Sequence, residues 1–123
     1  MQLEFHRLGK GSVTIPNLIQ AAAAGPLTKA VIERACETGK KSLFELYDAF
    51  AREVAERFSR GEHSWEFCDV AMNSLFTYAH PVSLSGLPPF AFEVYSAFDE
   101  GEYREEGEIV SRRLIADALK KSV

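Results

Sequence analysis

The stretch SLFELYDAFAREVAERFSR, residues 42–60, decides the fold. Its apolar positions Phe44, Tyr47, Ala51, Val54 and Phe58 recur at steps of three, four, three and four. That is the period of one helix face and is incompatible with the alternation of a strand. Arg52, Glu53, Glu56, Arg57 and Arg60 fill the opposite side. Ser42 followed by Glu45 forms a capping box, in which each side chain satisfies an N–H at the helix start that has no intrahelical partner. Gly61 closes the segment, so a helix is predicted over 43–60.

The same punctuation extends in both directions. Ser64 caps a fourth helix, 65–79, with Trp65, Cys68, Met72, Leu75, Phe76 and Ala79 facing inward. Phe67, Val70 and Ala71 make it apolar around most of its circumference, the pattern of a central helix. His80, Pro81, Gly86 and Pro88 mark a loop, and Pro89 opens a fifth helix, 89–99, which is also largely apolar. A last helix, 106–121, turns Val110, Leu114, Ile115 and Ala118 inward and ends in Lys120 and Lys121, cations that complement the negative helix terminus. Toward the N-terminus, Pro16 starts a helix over 15–24 with Leu18, Ile19 and Ala22 on one face. Pro26 starts another, to Thr38, with Leu27, Val31 and Ala35 aligned and Gly39 as its stop. Residues 1–13 are weakly patterned and read as extended or frayed. The expectation is an all-α, single-domain bundle of five to six short helices spanning 1–123, with the fourth and fifth in the middle. Eight of the nine phenylalanines fall in 43–98, which places the core there, with Phe58, Phe76 and Phe98 as its large members.

Composition narrows the function classes. At 46% hydrophobic and 26% charged the chain is ordinary for a folded domain. A net charge of −4 shows no basic balance of the kind nucleic acid demands, so no nucleic-acid partner is expected. MQLEFHRLGKG has no apolar signal-peptide core, and no run approaches the ~18 apolar residues of a membrane span. A cytoplasmic location without membrane association is the expectation. Cys36 and Cys68 both fall in helical segments and read as buried, reduced thiols.

Motifs for chemistry are sparse. Gly9 and Gly11 come as GKG without the lysine-serine/threonine partner of a phosphate loop, and neither a CxxC pair nor HExxH occurs. His63, Glu66 and Asp69 lie three apart, but His63 precedes the Ser64 cap and Glu66 suits a first helical turn, so no metal is expected. Cys68 shares the stripe of Trp65 and Met72 and reads as core rather than nucleophile. His6, His63 and His80 are scattered, without carboxylate partners in sequence. Glu66, Asp69 and Asn73 form a polar stripe read as a solvent face. No catalytic residue and no cofactor is assigned, and the chain is expected not to be an enzyme.

One segment stands apart. Residues 99–108, DEGEYREEGE, hold six acids against one base, a net −5, so the rest of the chain sums to +1. Glu105, Glu106 and Glu108 suit the start of the last helix, whereas Asp99 and Glu100 would sit at the unfavourable negative end of the fifth. Asp99, Glu100, Glu102, Tyr103, Glu105, Glu106 and Glu108 are the candidate partner-binding residues: an anionic knob with a tyrosine anchor that steers a basic protein. The segment Trp65–Asn73, the Pro88-Pro89 start and FEVYSAFDEGEY resemble small helical immunity proteins of bacterial toxin–immunity systems, over about a third of the chain. The resemblance implies a role only: an acidic protein that neutralises a basic toxin domain, often a nuclease. No residue role is carried over from it. The competing expectation is a helical adaptor or homo-oligomer whose surface use is unrelated to the acids.

Overall fold

The computed structural model describes residues 12–82 and 86–122, and among these six helices and no strand occur: α1 Ile15–Ala24, α2 Lys29–Gly39, α3 Leu43–Ser59, α4 Trp65–Val82, α5 Pro89–Glu102 and α6 Gly107–Lys121. The all-α bundle of short helices is therefore the fold. The expectation for residues 1–11 lies outside the described residues. Ser12 and Val13 are not helical, and the Val13 N–H donates to Thr38 Oγ1 at 2.8 Å, tying the chain entry to the end of α2.

The first four helix starts are each written in a side-chain cap, whereas α5 and α6 begin without one. The Ser42 box is complete, with the Ser42 N–H donating to Glu45 Oε1 at 2.9 Å and the Glu45 N–H to Ser42 Oγ at 3.2 Å. Thr14 Oγ1 accepts from the Asn17 N–H, and Ser64 Oγ from the Phe67 N–H at 3.1 Å. Helix α2 begins at Lys29 rather than Pro26, because Thr28 takes the capping role and accepts the Val31 N–H at 3.2 Å. Its stop also shifts by a residue: Gly39 stays helical and Lys40 adopts the left-handed conformation, φ 53°.

The core is centred differently from the expectation. Helix α3, not α4 or α5, touches all five other helices. Its buried residues are Leu46, Tyr47, Phe50, Ala51, Val54, Ala55 and Phe58, a stripe one position wider than the sequence spacing showed. Phe44 is 41% exposed because it sits in the first turn, beyond the neighbours that cover the later turns. Phe58 and Phe98 meet edge to face at 5.0 Å between ring centres, both fully buried. Phe76 is only half-buried: it lies flat on Tyr95, 4.2 Å between centres, on the outer side of the α4–α5 contact. Helix α4 is not buried all round, since Val70 is exposed and Phe67 is half-covered by the stacked ring of His63. Both cysteines are free; Cys68 is buried, but Cys36 is only half-buried.

The two later helices also end differently. α4 continues through Pro81 to Val82, and α5 runs three residues past its expected end, to Glu102. Asp99 and Glu100 are thus inside the last turn of α5, still at its negative end. No helix among the described residues is long and apolar enough to cross a membrane.

Candidate interaction surface

Helices α5 and α6 form a tight antiparallel corner, and two glycines set its closeness. A Cβ on Gly101 would fall 2.5 Å from Ser111 Oγ and 2.7 Å from the Gly107 carbonyl oxygen, and one on Gly107 would overlap the Gly101 carbonyl. Only residues without a side chain let the two backbones meet there. Ser111, fully buried, accepts from Trp65 Nε1–H at 2.9 Å and donates to the Ala97 carbonyl at 2.8 Å. One hydroxyl thereby joins α4, α5 and α6. Residues 103–106 are the turn projecting from this junction.

The seven predicted binding residues divide sharply. Glu100 is paired with Arg104, Nη2 to Oε2 at 2.6 Å, and Glu108 with Arg112 at 3.1 Å, each one helical turn away. These pairs account for how an acid is tolerated at the negative end of α5: a cation supplied four residues on answers it. Asp99 is half-buried, and its carboxyl is shifted up by that burial and by the charges of Glu102 and Glu100. Glu102 is held by α4. Only Tyr103, Glu105 and Glu106 are exposed with no side-chain hydrogen bond or ion pair among the described residues. Tyr103 is 79% exposed, and Ile109, which the sequence reading did not single out, is 62% exposed one turn into α6. The broad anionic knob therefore contracts to two free carboxylates between an open aromatic and an open aliphatic side chain.

The attachment of Glu102 overturns the reading of Glu66, Asp69 and Asn73 as a solvent face. Glu66 is exposed, but Asp69 and Asn73 turn onto α5. Asn73 Nδ2 donates to Glu102 Oε2 at 2.9 Å, and the carboxyls of Asp69 and Glu102 lie within hydrogen-bonding reach of each other. Asp69 Oδ1 is sealed from solvent and meets no donor among the described residues. Burial, then the hydrogen bond to Glu102, then the negative charges of Glu102 and Asp99 push the Asp69 carboxyl up to about 7. Glu102 moves the other way, held down by the hydrogen bonds from Asp69 and Asn73. Two carboxyls at such a contact share one proton, which is also the arrangement of many acid–base sites. Here the pair lines neither of the two neighbouring grooves, one of about 590 Å³ bordered by Leu27, Val70, Asn73 and Tyr78, the other of about 330 Å³ between α5 and α6. In the second groove Glu93, Glu100 and Asp117 alternate with Arg104, Arg113 and Lys121, so it presents no single sign of charge.

The Cys68 thiol is pushed up to about 12 by burial, which makes it inert as a nucleophile. No cluster of three or more His, Cys, Asp or Glu side chains among the described residues is arranged to hold a metal ion. Compared with known protein families, with curated proteins and with solved structures, the chain matches none.

Proposed function

We propose that this chain is a non-enzymatic, protein-binding inhibitor of the immunity type, which neutralises a basic toxin domain, with a nuclease as the expected class, through the α5–α6 corner. The observation that carries the reading is Tyr103, 79% exposed beside Glu105 and Glu106, which have no ion-pair partner among the described residues, at the tip of the helical corner. An exposed tyrosine offers a large apolar ring with a hydrogen-bonding tip at low entropic cost, and paired free acids accelerate docking of a cationic surface. The binding residues of this proposal are Tyr103, Glu105, Glu106 and Ile109; Glu100 and Glu108 already have cations and contribute less.

The test is association kinetics with a basic toxin domain, sought first in a reading frame neighbouring that of this chain. Glu105→Lys with Glu106→Lys should slow association at least about tenfold at low salt, with the difference shrinking as salt screens it. Tyr103→Ala should speed dissociation instead. An on-rate unchanged by the double reversal sinks the proposal. The adaptor or homo-oligomer reading has its own support in Phe44, Val70 and Phe92, large apolar side chains exposed away from the corner. A stable dimer in sedimentation that survives the corner variants would favour it.

A further inference from the structure

We infer that the Asp69–Glu102 carboxyl pair is a proton-operated latch, which holds the α5–α6 corner against α4 while one proton is shared and releases it when that proton is lost. The geometry requires the proton, because two carboxylate oxygens in hydrogen-bonding contact have no donor between them unless one is protonated. Glu102 already receives Asn73 Nδ2–H at 2.9 Å, and the sealed Asp69 Oδ1 has no donor of its own. Asp69 is therefore the carboxylic acid and Glu102 the carboxylate that accepts from two side chains of α4.

Among the described residues no cation stands ready to replace the proton: Arg104, the nearest in sequence to Glu102, is held on Glu100 at 2.6 Å. From α5, the groups beside the pair are Asp99, Tyr95 and Tyr103, either acidic or neutral. On α4 itself Glu66 lies one turn before Asp69, and Asn73 one turn after. Helix α1 packs on α4 and carries no ionisable side chain. The charges of α3 are occupied elsewhere: Arg52 lies over the Phe90 ring, Arg57 pairs with Glu53 and Glu62, Glu45 serves its cap and Asp48 accepts the Ala91 N–H, while Glu56 acts on Arg60. From α6, Arg112 sits over the Phe58 ring and on Glu108. Loss of the proton thus leaves Asp69, Asp99 and Glu102 as mutually repelling anions. Glu102 is exposed at the last position of α5, so the relief open to it is to swing into water, giving up Asn73 and freeing Tyr103 beside it.

The sign of the effect follows from linkage. Asp69 holds its proton in the folded state up to about 7, against 3.8 for a free aspartate. Its contribution to stability is full below the lower value and is lost as pH rises through the upper one. Glu102 works oppositely and only at the acidic end, where protonation removes its accepting charge. The latch stands on this pair alone, whether or not the corner binds the partner proposed above.

The experiment uses the full chain. Carbon NMR should show the Asp69 carboxyl titrating near neutrality, and amide exchange of residues 102–104, corrected for the intrinsic rate, should quicken several-fold between about pH 6 and about pH 8. Asp69→Asn keeps a donor toward Glu102 and should hold that protection constant across the range. Its thermal midpoint should gain about 3–5 °C on the wild type over the same interval. Glu102→Gln removes one carboxylate and should likewise flatten the profile, which keeps the test alive if Asp69→Asn does not fold. An Asp69 carboxyl titrating in the ordinary range, or wild-type and variant profiles that run parallel, overturns the latch.

Discussion

Helices α3 and α4 each carry a polar stripe opposite an apolar one, and the two stripes meet different surroundings. On α3, Arg52, Glu53, Glu56 and Arg57 remain at the surface, where Arg57 Nε lies 2.6 Å from Glu53 Oε2 with both side chains about a third exposed. On α4, Trp65, Asp69 and Asn73 lie one turn apart and all three reach across to the α5–α6 corner. The first stripe is half-exposed and satisfied mostly close to its own helix, Arg57 by Glu53 and Glu62, with Arg52 lying over the Phe90 ring. The second is a seam whose partners lie 29 to 46 residues away in sequence. Polar side chains thus separate by whether water or another helix completes their hydrogen bonds, and the cost of removing one separates in the same way.

Four substitutions would break or sharpen that contrast. The largest effect belongs to the apolar side of α3: Phe58→Ala should cost about 3–5 kcal/mol, because the ring is fully buried against Phe98 and its removal leaves a cavity. Phe76→Ala on α4 should cost clearly less, its ring being half-buried, and equal urea midpoints for the two would contradict the placement of the core. Next is Trp65→Phe, which removes the indole donor from the buried Ser111 hydroxyl and should cost about 1–2 kcal/mol in the same denaturation assay. Indifference to this change would mean that the α4 seam contributes no more than a surface contact. The smallest is Arg57→Ala, for which a partly exposed pair predicts about 0–1 kcal/mol. A loss rivalling that of Trp65→Phe would abolish the distinction between the stripes.

The corner itself explains why the local reading of acids was incomplete. Counting charges over 99–108 identified a crowded region, but counting does not reveal pairing. Arg104 and Arg112 each neutralise the acid one turn before them, so two of the six carboxylates are answered within their own element. Those i, i+4 spacings were visible in the sequence. The capture of Glu102 was not, because Asp69 and Asn73 are about thirty residues away and their stripe gave no sign of facing a helix. The exposure of Ile109 went unread, although the inward stripe of Val110, Leu114, Ile115 and Ala118 leaves it outside.

Local chemistry in the chain was enough to determine that the helices form and where most of them start: Ser42 and Ser64 cap where a side-chain oxygen meets an orphan N–H, and the steps of three and four along 43–60 admit no other backbone, whereas the Thr28 cap that sets the start of α2 went unread. These signals act within one or two turns, so no neighbour is needed to express them. Tertiary structure decided what each face meets: that α3 is central, that Phe44 and Phe76 lie toward the margin, and that the Asp69–Asn73 stripe is a half-buried seam against α5. Helical periodicity states which residues share a side of a cylinder. Which side is wet depends on how six cylinders divide the apolar surface among them, and at the α5–α6 corner on the close approach that Gly101 and Gly107 permit.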